Sequence, residues 1–238
     1  MSIPATVTTP TTSVYATGLF WERLWRASGI NFAVFLVISY AIYGYQPQMG
    51  ASADAVAAFY EADRIWVLIA AVISGMALLN LMWFVAALRT TLADAGQDGW
   101  GGAATAASAM VGALFLVLIT VGAALAFSIA GAGNGALASG LNDFAWATVV
   151  LSSFPRAMLI MASAFGLWRA KLISNALFAA GVAAIVLVLL GGTTWLNGGF
   201  WAPDGGYSRF VSPVIGLIWV GVVSWVLLTR TPAARTGW

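Results

Sequence analysis

Six apolar runs, at 28–45, 65–88, 104–130, 144–167, 174–190 and 211–228, alternate along this chain with polar connections that, together with the two flanks, hold nearly all of its charge. At about 1.5 Å per helical residue, such runs suit the roughly 30 Å of hydrocarbon in a bilayer, the fifth being the shortest. Backbone amides in lipid need partners within the same segment, so each run predicts a helix. The fold class is therefore all-α: a polytopic membrane protein with six transmembrane helices. Residues 1–17, rich in Thr, Ser and Pro and uncharged, read as a disordered tail. Residues 18–230 form the transmembrane domain, and 231–238 a second tail.

Charge placement orients the bundle. With alternating spans, Arg23, Arg26, Arg89, Arg169, Lys171, Arg230 and Arg235 share one side, against Arg64 and Arg209 on the other. The positive-inside rule then predicts three in-out-in hairpins with both termini cytoplasmic. Aromatic residues agree with these boundaries. Trp21, Trp25, Trp100 and Trp168 fall on the inner side, and Tyr43, Tyr45, Trp66, Trp146, Trp195, Trp201 and Tyr207 on the outer. Trp83 and Trp219 lie deeper, where an indole N–H needs a partner, and Asn80 is placed as polar glue between helices.

The even-numbered spans share a spacing. Asp63, Trp66 and Arg89 recur as Asp143, Trp146 and Arg169, and as Asp204, Tyr207 and Arg230, while AVFLVI at 33–38 aligns with ALFLVL at 113–118. A threefold hairpin repeat accounts for this; so does bilayer thickness alone. At equivalent depth the three units carry Gly75, Pro155 and Gly216, residues that suit a hinge or close packing. The external connections differ. Segment 52–64, with Ser52 as N-cap, predicts a short interfacial helix. Segment 131–143 reads as a turn ending in Asn142 or Asp143 as an N-cap, and 191–210 as a Gly- and aromatic-rich loop at the headgroup layer.

Composition narrows the chemistry. Apolar residues make up 61% and charged residues 8% of the 238, values that belong to a chain solvated by lipid. A net charge of +2 without a basic stripe gives no nucleic-acid footprint. Cysteine and histidine are absent, which removes disulfides, thiolate and imidazole catalysis, His-ligated haem and ordinary zinc or copper sites. The single lysine, Lys171, sits at a helix end, so no mid-membrane Schiff base exists. No metal, cofactor or catalytic residue is predicted. A lipid-acting enzyme would need carboxylates such as Glu61 or Asp63 to converge with Asp143 or Asp204.

One residue breaks the apolar design. Arg156, beside Pro155, lies near the middle of the fourth run, too deep for its side chain to reach either interface. Ser152, Ser153 and Ser163 share its helix face at −4, −3 and +7. Pro155 lacks an N–H and is expected to leave the carbonyls of Leu151 and Ser152 short of donors, acceptors that a five-donor guanidinium can use. No carboxylate lies in any span. Three environments fit Arg156: backbone, Asn31, Asn80 and serine groups in a packed bundle; a hydrated cavity holding an anionic or carbonyl ligand or a lipid head; or another subunit.

The segment ADAVAAFYEADRIW at 53–66 leading into a span that ends at Arg89, and the Leu141-Asn142-Asp143 start of the span carrying Pro155, resemble bacterial multi-spanning membrane proteins of unknown function. That resemblance implies a fold and a bacterial inner-membrane setting, and no activity. Three hairpins are also the plan of mitochondrial carriers, whose Pro-x-acid-x-x-base signature is missing here. Two functions follow. One is a non-enzymatic membrane protein that holds a lipid, a small amphiphile or a partner helix against the Arg156 face, as an accessory subunit or homo-oligomer. The other is a small-solute or anion transporter with Arg156 in a midplane site.

Overall fold

A computed structural model describes residues 12–230. The segments 1–11 and 231–238, which hold most of the first tail and all of the second, lie outside the described residues. Among those described, the chain is helical, with no strands. It runs α1 (Thr12–Tyr43), α2 (Ala53–Ala62), α3 (Arg64–Asp94), α4 (Asp98–Ala124), α5 (Gly135–Leu151), α6 (Ser153–Arg169), α7 (Asn175–Leu190) and α8 (Ser212–Arg230). Six helical stretches are long and apolar enough to cross a membrane: Phe20–Tyr43, Arg64–Asp94, Asp98–Ala132, Gly135–Arg169, Asn175–Thr193 and Tyr207–Thr229.

Three local readings need correction. Helix α1 begins at Thr12, so 12–17 are helical and not an unstructured tail. Once a span is nucleated, each further residue adds a backbone hydrogen bond without a new nucleation cost. Helix α5 starts two turns before the expected site, its N-cap being Asn134, whose side chain accepts from the Leu137 N–H at 3.2 Å. Asn142 is thereby inside the helix and fully buried. The third concerns glycine. A Cβ added at Gly75 or Gly216 would meet nothing within 4 Å, so neither mediates close packing. That role belongs to Gly29, where a Cβ would lie 2.7 Å from Phe84, and to Gly181, where it would lie 2.6 Å from Trp219. The expected interfacial helix is present as α2, with the Ser52 hydroxyl accepting from the Ala55 N–H at 3.3 Å.

The spans pack mainly on their neighbours in sequence, and α8 returns to α1, so the bundle closes as a ring in chain order. Paired contacts make neighbours antiparallel: Gly29 meets Phe84 while Ser39 Oγ donates to the Ala70 carbonyl at 2.8 Å. At the closing seam, Gly29 lies against Ser224 near one end, and the rings of Tyr40 and Phe210 meet edge-on at 6.2 Å near the other. Without water to expel, such interfaces depend on close packing and interhelical hydrogen bonds. The main core joins Leu81, Phe84 and Leu88 of α3 to Ile160 and Leu167 of α6 and Leu227 of α8. A smaller cluster at the α2 end unites Val56, Tyr60, Val67 and Leu125.

Span four is two helices in line. Helix α5 ends at Leu151 and α6 begins at Ser153, with Ser152 between them. Pro155 stands in the first turn of α6, where its missing N–H costs least. The other even-numbered spans are not broken at this depth, since α3 runs through Gly75 and α8 through Gly216.

Candidate functional site

The ring of spans encloses a space. A cavity of about 500 Å³ opens there, lined by spans one, two, three, four and six. Helix α7 contributes nothing to it and packs behind α6 and α8. Most of the wall is apolar. Its polar groups are the hydrogen-bonded pairs Ser39–Ser74 at 2.7 Å and Tyr43–Tyr60 at 2.8 Å, with Tyr40, Gln46, Trp146, Ser152, Ser208 and two arginines, Arg156 and Arg209. No carboxylate lines it.

Arg156 is held from its own span. Its Nε donates to the Ser152 carbonyl at 3.2 Å, and Nη2 donates to the Ser153 hydroxyl at 3.0 Å and the Val149 carbonyl at 3.5 Å. The Arg156 backbone N–H also donates to the Ser152 carbonyl at 3.2 Å. The sequence-based expectation named the Leu151 and Ser152 carbonyls as the pair short of donors. Here the side chain takes Val149 and Ser152, because the guanidinium reaches two turns back along its own helix face, while Ser152 keeps its backbone donor. Nitrogen Nη1 has no acceptor among the described residues, and Arg156 is only partly buried, its open side forming cavity wall. Two of the five N–H groups of this guanidinium are therefore without a protein acceptor among the described residues, and no carboxylate stands in the lining beside it.

Arg209 likewise has no acceptor at Nη1 among the described residues, but it is packed against rings. It is only 4% exposed. Its guanidinium carbon lies 3.7 Å from the centre of the Tyr45 ring and 4.7 Å from that of Trp146, a sandwich that desolvation strengthens. Nε donates to the Asp204 carbonyl at 3.3 Å and Nη2 to the Gln46 carbonyl at 3.1 Å. One side chain thus fastens the connection after α1, the α5 helix and the last long connection across the α2 end of the cavity. The same connection is pinned by Asn142, whose amide donates to the Gln48 carbonyl at 3.0 Å and accepts from Gln46 at 3.1 Å, and by Trp146 Nε1, which donates to the Pro47 carbonyl at 2.8 Å.

The wall has one lateral opening. Val37, Tyr40, Ala41, Phe210 and Val214 line the cavity and are also exposed on the outside of the bundle. All five belong to α1 or to the start of the sixth span, so the cavity reaches the bundle surface along the seam where the ring closes.

The remaining predicted site residues are dispersed. Ser152 Oγ donates to the Val149 carbonyl at 2.6 Å and, like Arg156, Ser152 lines the cavity. Ser153 contacts Arg156 but also faces α7, since a Cβ on Gly191 would lie 2.7 Å from its hydroxyl. Ser163 is spent elsewhere, donating to the Leu159 and Ile160 carbonyls and accepting from Trp219 Nε1 at 2.9 Å. Asn80 donates to the Met76 carbonyl of its own helix at 2.9 Å and does not bridge helices. Asn31 is half-buried and, like Asn80, is not part of the lining. Among the carboxylates considered for catalysis, Asp143 accepts from the Gly50 N–H at 2.8 Å. No group of three or more metal-ligating side chains occurs among the described residues.

Sequence reasoning passed over Arg209, Tyr45, Tyr43, Tyr60, Ser39 and Ser74. A signal existed for the first: Arg64 and Arg209 are the two cations on the side the positive-inside rule disfavours, and both lie over rings, Arg64 at 5.3 Å from Phe127. Tyr60, on α2 and outside the spans, has its hydroxyl pKa pushed up to about 12 by burial. No family model, curated protein or solved structure matches the chain.

Proposed function

We propose that this protein holds a small amphiphile or lipid in its central cavity, with the polar head at Arg156, and that it is not an enzyme. The observation that carries this reading is Arg156 Nη1, a cationic donor without an acceptor among the described residues, in the wall of an apolar cavity of about 500 Å³. That volume is in the range of pockets that enclose small organic ligands. The seam between α1 and the sixth span adds support, since an opening lined by Val37, Tyr40, Phe210 and Val214 faces lipid and suits a ligand that arrives from the bilayer. In this reading the three hairpins sit in a bacterial inner membrane with both termini cytoplasmic, in line with the Arg23, Arg89, Arg169, Lys171 and Arg230 end of the bundle. The protein would serve as an accessory subunit or homo-oligomer in a membrane assembly.

Gly216 supplies the test. It lines the cavity, nothing lies within 4 Å of where its Cβ would be, and it sits inside α8, so Gly216→Leu fills space without a backbone clash and with a better helix former. Native mass spectrometry of the full chain released from membranes should show a bound small molecule in the wild type and its loss in Gly216→Leu. Equal occupancy of the two proteins would refute the proposal.

A second reading, transport of a small solute or anion, draws on the interruption of span four at Ser152 beside Pro155 and Arg156, because broken helices at mid-depth are a common way to build transport sites. Proteoliposome flux of an anion that requires Arg156 would favour it over retention of an amphiphile.

A further inference from the structure

We infer that the cavity takes a single-chain amphiphile bearing one negative charge, its head accepting from Nη1 of Arg156. This rests on the amphiphile-holding reading above and specifies its ligand. Charge balance is the first ground. Among the lining residues Arg156 and Arg209 carry the formal charge, and no carboxylate offsets either. Arg209 lies against two ring faces at the α2 end, whereas Arg156 has no ring against it among the described residues, so Arg156 is the cation left for a ligand's charge. A neutral ligand would leave Arg156 uncompensated in hydrocarbon, and a dianion would leave a surplus negative charge there.

The donor geometry agrees. Nε and Nη2 are occupied by Ser152, Ser153 and Val149, so the ligand meets one nitrogen with two N–H groups, enough for one small oxyanion and too few for a multiply charged head. Size is the third ground. A volume of about 500 Å³ is in the range of pockets that enclose small organic ligands, which favours one chain over two. The space is also elongated. Trp146, against which Arg209 packs, precedes Arg156 by ten residues of the same span, or about 15 Å along the axis, and apolar Val149 lines the cavity between them. A single chain fits that interval and can pass sideways along the α1 seam.

The experiment measures displacement of a fluorescent single-chain carboxylate from the detergent-purified full chain by tetradecanoate, its methyl ester, tetradecylamine and two-chain phosphatidylglycerol. Tetradecanoate should compete at a concentration at least about tenfold below the ester, the gain typical of a charge-assisted hydrogen bond. The amine and the phospholipid should not compete. In Arg156→Gln the acid and ester should become equivalent. Equal potency of acid and ester in the wild type, or competition by phosphatidylglycerol at matching concentration, would overturn the ligand class, while loss of reporter binding in Gly216→Leu would still uphold the cavity as the holding site. Reporter binding that Gly216→Leu leaves intact, or no saturable binding to the wild type, would overturn both.

Discussion

Arg156 and Arg209 line the same cavity, and their surroundings differ in one decisive way. Arg209 is enclosed by Tyr45 and Trp146 and donates to carbonyls of two connections, so its charge is spent on holding the α2 end together. Arg156 lines the cavity and donates only within its own span, with no acceptor for Nη1 and no ring against it among the described residues. On the proposed reading, a cation is a structural fastener when rings and carbonyls from separate elements converge on it, and a binding group when its own helix satisfies only part of it.

The largest expected effect breaks the comparison from the Arg156 side. Arg156→Gln should weaken binding of the cavity ligand by about 1.5–3 kcal/mol, a ten- to hundredfold change, with thermal stability unchanged or raised because a charge has been removed from hydrocarbon. Ligand displacement and a melting curve on the same preparation check both halves. A fall in stability with affinity retained would give Arg156 the role assigned here to Arg209.

Arg209→Gln is the converse. Loss of a desolvated cation–π sandwich costs about 2 kcal/mol, which for a chain of this size lowers Tm by roughly 4–8 °C, with affinity for the cavity ligand within about threefold of the wild type. Differential scanning fluorimetry reads the shift. The seam is tested third: the chain has no native cysteine, so Tyr40→Cys with Phe210→Cys gives a unique pair whose rings now lie 6.2 Å apart. A short bismaleimide across it should slow ligand exchange by about tenfold or more if the bilayer is the route, and leave it unchanged if ligands pass through the end fastened by Arg209.

The smallest effect concerns Tyr60. Its folded pKa of about 12 is above the ordinary value of 10, so the protonated hydroxyl favours the folded state. That contribution is complete below pH 10 and is lost as pH rises from 10 toward 12. Tyr60→Phe should lose the part of the alkaline destabilisation that falls in this window, as seen in Tm against pH.

The spans were legible because lipid demands long apolar runs, and Arg156 because charge is rare within them. Its environment was only half legible. Ser152 and Ser153 lie on its helix face and do contact it or line the cavity beside it, since one-helix spacing is a local property. Asn31, Asn80 and Ser163 depend on how helices rotate against each other, which periodicity does not specify: Ser163 turned to Trp219 and Asn80 to its own backbone. The repeat pattern placed Gly75 and Gly216 at the depth of Pro155, yet spacing could not distinguish a glycine that lets helices touch from one that leaves room. The cavity itself arises from ring closure by α1 and α8, a pairing between the two ends of the chain.

A structure of the full chain taken directly from its native membrane in lipid nanodiscs bears most directly on these assignments. Elongated non-protein density with its head within hydrogen-bond distance of Arg156 Nη1, running along the apolar wall, is the predicted result. A cavity filled only by water, or closed by side chains that give Nη1 a protein acceptor, would contradict it.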